Sequence, residues 1–168
     1  MVPRGSTTGH GHFATNEEKV RDYRKILNQN EVFREYGTGN FKDLLIAVSQ
    51  DPAMLAFLDA GVNIKGSPNE NFAREIMELF TMGVGNYSEQ DIREAARAFT
   101  GWNYSDLQFV VNTEEHDTSD KTFLGRTGAW DGLDIIDMIL EKRVTAEYIS
   151  GKIYKFFVRE NITPQLQK

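Results

Sequence analysis

The 168-residue chain contains no cysteine. Disulfide bonds, thiolate metal ligands and cysteine nucleophiles are therefore excluded, although this absence assigns no cellular compartment. Long apolar runs are also missing: the longest aliphatic run covers residues 44–48, whereas a helix that spans a membrane needs roughly 18 apolar residues. We therefore expect no membrane span in this chain.

Basic side chains are in the minority, with 19 Lys and Arg against 25 Asp and Glu and a formal net charge of −6. This balance is opposite to the basic surface of nucleic-acid-binding proteins, so we expect no nucleic-acid partner. The hydrophobic fraction of 40% and the charged fraction of 26% are typical of a globular domain. The length of the chain predicts a single domain.

Several enzyme signatures are absent as well. The sequence has no Walker glycine–lysine loop, no G-x-G-x-x-G motif after a strand, no G-x-S-x-G elbow and no H-E-x-x-H helix. Nucleotide binding and serine hydrolysis are therefore disfavoured. Residues 2–6 resemble the remnant of a thrombin-cleavage linker, so we treat residues 1–6 as a cloning remnant and residues 7–168 as one helical domain, a fragment of a longer protein.

Helix-start signals recur along the chain. Thr15-x-x-Glu18 and Ser67-x-x-Glu70 are typical capping boxes, and Ser88 has the same role at residues 88–91. The predicted helices cover residues 16–28 with an extension towards 36, 41–48, 52–58, 68–82, 89–100 and 133–140, and a last one follows a cap at Thr145. We therefore predict an all-α fold, a compact bundle of about six helices.

Residues 102–130 differ in composition, with several Gly, Asp and Thr residues and one strand-like apolar stretch at 107–111. We expect one long ordered loop here or a small β-hairpin that pairs residues 108–112 with residues 122–124. A loop of this length in a compact domain is more often functional than idle.

Three motifs follow one another along the chain. They are His10-Gly11-His12-Phe13-Ala14-Thr15, residues 68–81 (PNENFAREIMELFT) and residues 94–102 (EAARAFTGW). Shorter matches at residues 116–117, 121–125, 152 and 156–157 complete the succession. In these motifs, from residue 10 to residue 158, the chain resembles the bacterial family catalogued as domain of unknown function 1800.

The resemblance implies membership but no particular activity. Family members are usually longer, often carry export signals and are often encoded beside a sulfatase-like partner. It therefore implies a periplasmic or extracellular location, a central position in a longer protein, and a sulfatase-like envelope protein as partner; a polysaccharide is a separate expectation, from the binding-module hypothesis below. One departure is Gly9, where the family tends to have tryptophan before the His-x-His motif.

Two histidines are candidate metal ligands. If residues 10–12 are extended, the imidazoles of His10 and His12 lie on one face, because strand side chains alternate. That arrangement suits a divalent metal such as zinc, with carboxylates completing the shell. The alternative is a terminal segment in which His12 packs against Phe13 and caps a neighbouring backbone group.

Two acid–base candidates follow. Glu75 lies beside the apolar face of its predicted helix, where burial would raise its pKa as a general acid or base requires; the alternative is an ion pair with Arg97 or Lys152. His116 and Asp117, with Lys121 close behind, could supply a base, its orienting carboxylate and an anion-binding ammonium. The alternative is a folding role, in which His116 and Asp117 bind backbone groups.

Trp102, Tyr104 and Trp130 flank the same excursion and could form a stacking platform for sugar rings, or else pack in the core. Two functions remain open. The domain is a binding or support module for a partner protein or polysaccharide, or it is a metal-assisted or acid–base hydrolase in which His12, Glu75 and the His116–Asp117 loop converge.

Overall fold

The computed structural model describes residue 15 and residues 17–158. In chain order the α-helices are α1 (Glu17–Val20), α2 (Tyr23–Tyr36), α3 (Phe41–Ser49), α4 (Pro52–Phe57), α5 (Asn71–Glu75), α6 (Glu89–Ala98), α7 (Gly132–Leu140) and α8 (Arg143–Phe157). A 3-10 turn covers Ala60–Val62, and a π-helix over Ile76–Thr81 continues α5. No helix among the described residues has the length and apolarity needed to cross a membrane.

The prediction of an all-α fold is wrong, because residues 102–128 contain two antiparallel β-hairpins. Strand β1 (Trp102–Ser105) pairs with β2 (Gln108–Val111), and β3 (Lys121–Phe123) pairs with β4 (Arg126–Gly128). The predicted pairing of residues 108–112 with 122–124 is also wrong. Each strand pairs instead with its neighbour in sequence across a tight turn, where Asp106, Leu124 and Gly125 have positive φ; such turns match the twist of a hairpin.

Three predicted helix starts are confirmed by side-chain caps, those of α3, α4 and α6; at α4 the Asp51 side chain accepts from the Ala53 amide at 3.0 Å. The Asn40 side chain accepts a hydrogen bond from the Lys42 amide at 2.8 Å at the start of α3. At the start of α6, Ser88 and Asp91 each accept a hydrogen bond from the other's backbone amide, which is a complete capping box. These helices therefore begin where short-range hydrogen bonds satisfy their first amides.

The Ser67 capping box and the Thr145 cap are wrong. The helix begins four residues after Ser67, at Asn71, whose amide donates to the Asn69 side chain at 3.0 Å. Helix α8 already begins at Arg143, and the Thr145 hydroxyl donates instead to the carbonyl of Ile139. At α5 the Asn69 side chain thus takes the capping position that the spacing assigned to Ser67, and at α8 the Thr145 hydroxyl bonds a carbonyl of the preceding helix instead of capping its own.

The core lies where the helices meet the first hairpin. The Phe99 ring contacts the Phe72 and Trp102 rings edge to face, each with centroids 5.0 Å apart, and Phe109 of β2 contacts Trp102 in the same way. Gly132 lets α7 approach these rings, because a Cβ there would overlap Trp102 and Phe99. The excursion over residues 102–128 is therefore held against the helices.

Candidate functional site

The polar groups of the excursion converge on one arginine of α6. Arg97 donates from Nε to the carboxylate of Asp117 at 2.8 Å and from Nη1 to that of Glu94 at 2.8 Å. Its Nη2 donates to the hydroxyl of Ser119 and to the carbonyl of Asp120. We call Arg97, Glu94, Asp117 and Ser119 the Arg97 cluster.

Asp117 is one of two buried acids of the Arg97 cluster: it is 9% exposed, and Glu94 is 8% exposed. Burial by itself would raise the pKa of Asp117, but hydrogen bonds from Ser119 and Arg97 outweigh it and hold that pKa well below the ordinary range. The Asp117 carboxylate also raises the pKa of Arg97. The pair is therefore ionised at neutral pH, and Asp117 is a poor general base there.

Lys121 is 1% exposed at the start of β3. Its ammonium donates to the carbonyl oxygens of Asp117 and Ser119 at 2.5 and 2.9 Å, so it closes the segment 117–121 into a loop. Burial lowers the pKa of Lys121, and the Asp117 charge opposes that shift. Because the ammonium is buried against backbone carbonyls, it is unsuited to capture an anion from solvent.

His116 and Asp117 are fixed to the end of α6. The Nδ1 of His116 lies 2.8 Å from the carbonyl oxygen of Thr100, and the Asp117 amide donates to the Thr100 hydroxyl at 2.8 Å. Because a carbonyl only accepts, Nδ1 of His116 is the donor in this contact. The first of these contacts joins the His116 side chain to a backbone group, which is the kind of bond that the folding role would use.

The second hairpin is attached to the same helix. The backbone amide of Thr122 donates to the Glu94 carboxylate at 3.0 Å, and that of Leu124 donates to the Asp91 carboxylate at 2.8 Å. Strand β3 and the turn that follows it thus lie along the acidic side of α6 and donate to its carboxylates from main-chain amides. The second carboxylate oxygen of Glu94 accepts from Gln90 at 3.0 Å.

Glu75 lies elsewhere, at the junction of α5 and the π-helix. Burial, and next the charge of Glu78, raises the pKa of Glu75, while Arg74 opposes the shift. Neither predicted ion pair is formed: Arg97 binds the Arg97 cluster, and Lys152 donates to the carbonyl of Leu79 at 2.9 Å. Within the described residues, no hydrogen bond or ion pair joins Glu75 to any other group.

The neighbouring acids of Glu75 have partners. Arg74 forms ion pairs with Glu70 at 3.0 Å and with Glu89 at 2.8 Å, which links α5 to α6. Glu78 accepts from the Tyr87 hydroxyl at 3.1 Å. Burial and this acidic partner raise the pKa of Tyr87 to about 12.

The three aromatic candidates occupy different environments. Trp102 is 4% exposed and packs within the core described above. Tyr104 is half-buried beneath the ammonium of Lys25, 5.1 Å from its ring centroid. Trp130 is half-buried against β4, where its Nε1 donates to the Arg126 carbonyl and the Arg126 guanidinium lies 5.7 Å from the ring centroid.

The proposed metal ligands His10 and His12 lie outside the described residues. Among the residues that the structure describes, no group of three or more His, Asp and Glu side chains is arranged to hold a metal ion. His116, the remaining histidine of the chain, is bound to Thr100.

Sequence reasoning missed Glu94, Thr100 and Ser119 as members of this network. Arg97 was considered only as a partner for Glu75. One signal was available, because Glu94 and Arg97 are three residues apart on a well-capped helix and so share a face. The bonds of Glu94 and Arg97 to residues 117–122 cross 20 to 28 residues of sequence, and spacing alone does not predict contacts of that kind.

Two comparisons with known proteins give no match: neither a curated protein nor a solved structure is significantly similar to the chain. A family model does match, over residues 9–168. Its description is "Protein of unknown function (DUF1800)", and the match covers nearly the whole chain.

Proposed function

The chain belongs to the DUF1800 family of proteins of unknown function, in agreement with its sequence motifs, and we propose that it is a non-catalytic module that binds a partner protein in the bacterial cell envelope. The two hairpins over residues 102–128 are its contact surface, and the helices are their support. The envelope location rests on the family resemblance.

One observation carries the proposal: the polar side chains of the excursion are used to hold it in place. Asp117 binds Arg97 and Ser119, and Lys121 binds two backbone carbonyls. A catalytic loop needs at least one acid or base directed towards substrate. These groups are directed inward, and they hold the segment 117–121 against α6.

The outward surface of the hairpins is partly apolar, and two of its charged side chains are already paired, Asp106 with Arg24 and Arg126 with Glu141. Val110 and Val111 of β2 are 38% and 43% exposed, and exposed Thr122 and Thr127 contact each other across the second hairpin. A protein partner suits this surface better than a polysaccharide, because the buried Trp102 ring offers no open face for stacking on a sugar. Tyr104 and Trp130 already contact Lys25 and Arg126.

Site-specific photo-crosslinking in the bacterium that encodes the protein tests the proposal. A photoreactive amino acid is placed at Val110, at Thr127, or at Glu35, an exposed control position on α2. We expect a discrete crosslinked protein from Val110 or Thr127 and none from Glu35. Equal products from the three positions, no product at all, or a crosslink to glycan alone would contradict the proposal.

The enzymatic alternative keeps one observation in its favour, the half-buried Glu75 with its raised pKa and without a hydrogen-bond partner among the described residues. It is a metal-assisted or acid–base hydrolase that uses His12, Glu75 and the His116–Asp117 loop. Elemental analysis of the purified protein and of its His12→Ala and His116→Ala variants tests this alternative. Stoichiometric zinc in the parent and its loss in both variants would favour the enzyme.

A further inference from the structure

The first hairpin has one covered edge and one open edge. At β1, the amide of Trp102 donates to the carbonyl of Phe99 at 3.2 Å, and the amide of Tyr104 donates to the side chain of Asn103 at 2.9 Å. No comparable bond is made at the outer edge of β2 by any described residue. The open edge therefore belongs to β2.

The hydrogen-bond alternation shows which main-chain groups are free. The Asn112 amide donates to the carbonyl of Gly101 at 2.8 Å, directly across the pair. Hydrogen-bonded and non-hydrogen-bonded pairs alternate in an antiparallel ladder, so the next bonded pair is Asn103 with Val110, in the observed register. The N–H and C=O groups of Phe109 and Val111 consequently point away from β1.

Strand β2 lacks the features with which exposed edges are usually protected. Its sequence, Gln-Phe-Val-Val, contains no charged residue and no proline, whereas natural edge strands often carry Lys, Pro or a bulge. Val111 is exposed although it lies on the same side of the strand as half-buried Phe109. A strand added at this edge would cover Val111 and extend the apolar surface that starts at Trp102.

We propose that the outer edge of β2 binds an extended strand of the partner protein, which continues the β1–β2 sheet through hydrogen bonds to Phe109 and Val111. This inference rests on the proposed function and specifies how the partner is held. In this mode of recognition the main chain supplies affinity and alternate side chains supply specificity.

Charge after the C-terminal end of β2 specifies the occupant. Glu114 is exposed and forms no ion pair with any described residue, whereas Asp106, before the strand, is already paired with Arg24 at 3.0 Å. The complementary strand therefore has apolar residues at alternate positions and a Lys or Arg opposite Glu114.

A proline substitution tests the outer edge of β2 without changing the hydrogen bonds that join β2 to β1. Val111→Pro removes an outward N–H and adds a ring at the open edge, while the ladder bonds to β1 stay intact. Val111→Thr is the matched control, because it keeps both the N–H and the β-branched shape. The probe is a labelled peptide, Lys-Val-Thr-Val-Thr-Val-Lys, and its counterpart with Glu at both ends.

Fluorescence anisotropy measures binding. We expect the protein and its Val111→Thr variant to bind the Lys-ended peptide, and Val111→Pro to bind it about tenfold or more weakly. The Glu-ended peptide should bind about tenfold more weakly, and Glu114→Lys should reduce that preference. If Val111→Pro does not fold, the Glu114→Lys exchange still tests the edge, since it changes only an exposed side chain.

Three outcomes would overturn the inference: equal binding by Val111→Pro and Val111→Thr, no preference for the Lys-ended peptide, or sedimentation showing a dimer that Val111→Pro dissociates. The last would make a second copy the occupant. A crosslink from Thr127 without peptide binding at β2 would refute strand addition and leave the proposed function standing. The absence of a crosslinked protein from both Val110 and Thr127 would refute the proposed function itself.

Discussion

Replacing Asp117 by Asn tests whether the Arg97 cluster holds the excursion against α6. The substitution keeps the size of the side chain and removes its charge. In the native protein the carboxylate accepts from Arg97 Nε at 2.8 Å and from the Ser119 amide at 2.9 Å, as well as from the Ser119 hydroxyl. The Asn side chain keeps one acceptor oxygen and turns an NH₂ group towards one of these donors.

The expected loss follows from the partners that remain. Breaking a buried ion pair by removing one member costs about 3–5 kcal/mol, and a single hydrogen bond to a charged group contributes about 1.5–3 kcal/mol. Arg97 is partly exposed and keeps its ion pair with Glu94 at 2.8 Å, so its guanidinium charge does not become buried and unpaired. We therefore expect Asp117→Asn to lower the free energy of unfolding by about 2 kcal/mol.

Urea unfolding followed by circular dichroism measures this change, with Asp120→Asn as the matched control on an exposed neighbour. In thermal unfolding, the melting temperature of Asp117→Asn should fall by about 4–8 °C, and that of the control should change little. A difference between the two variants below about 0.5 kcal/mol would refute the structural role of the Arg97 cluster.

The same substitution has a pH signature. The folded-state pKa of Asp117 lies below that of an unfolded Asp, so its stabilisation is present above the ordinary Asp range and is lost as the pH falls. The stability difference between the parent and Asp117→Asn should therefore shrink on acidification. A constant difference from neutral pH into the acid range would contradict the ionised pair.

Three further predictions concern single positions. Gly101→Ala should destabilise the fold by about 3 kcal/mol or more, measured by urea unfolding, because Gly101 has φ +78° and a Cβ there would overlap the Asn112 carbonyl; unchanged stability would contradict this packing. Tyr87→Phe should remove a phenol that ionises near pH 12 from the ultraviolet titration, and its persistence would reassign that pKa. Glu75→Gln should stabilise the protein increasingly as the pH rises above the ordinary Glu range, because the raised pKa of Glu75 makes its ionised form unfavourable in the fold; a stability loss at neutral pH would instead reveal a partner for the carboxylate.

Helix starts were predictable where the cap and its amide are close in sequence. Asn40 and Ser88 cap the helices that their spacing predicts, within three residues. Ser67 fails because Asn69 offers the first amide of α5 a competing acceptor. The side chains of Ser67 and Asn69 both satisfy local capping rules. The direction of the backbone before α5 decides which of the two accepts from its first amide.

The hairpins were only partly predictable. A small β-structure was expected within 102–130, and the apolar stretch at 107–111 contains β2. The strand predicted to pair with β2 was wrong, because the pairing depends on the positive-φ turn at Asp106 rather than on the number of apolar residues. Sequence patterns identify strand-forming stretches more readily than the register and turn that join them.

The candidate site residues were also only partly predictable from the sequence. His116, Asp117 and Lys121 were expected to act together, and they do lie in one network with Arg97 and Thr100. Their spacing left open whether the network faces a substrate or the protein. The burial of Lys121 and Asp117, which depends on every element around them, favours the folding role.

The sequence by itself determined the family, the starts of α3 and α6, and the presence of a polar excursion between two groups of helices. These features depend on residue order and on hydrogen bonds that span a few residues. Only the tertiary structure decided that Trp102 is enclosed by Phe72 and Phe99, that Arg97 binds Asp117, and that none of the residues the structure describes pairs with the outer edge of β2. Burial, pKa and edge exposure are properties of the surroundings, and those surroundings are assembled from segments far apart in the chain.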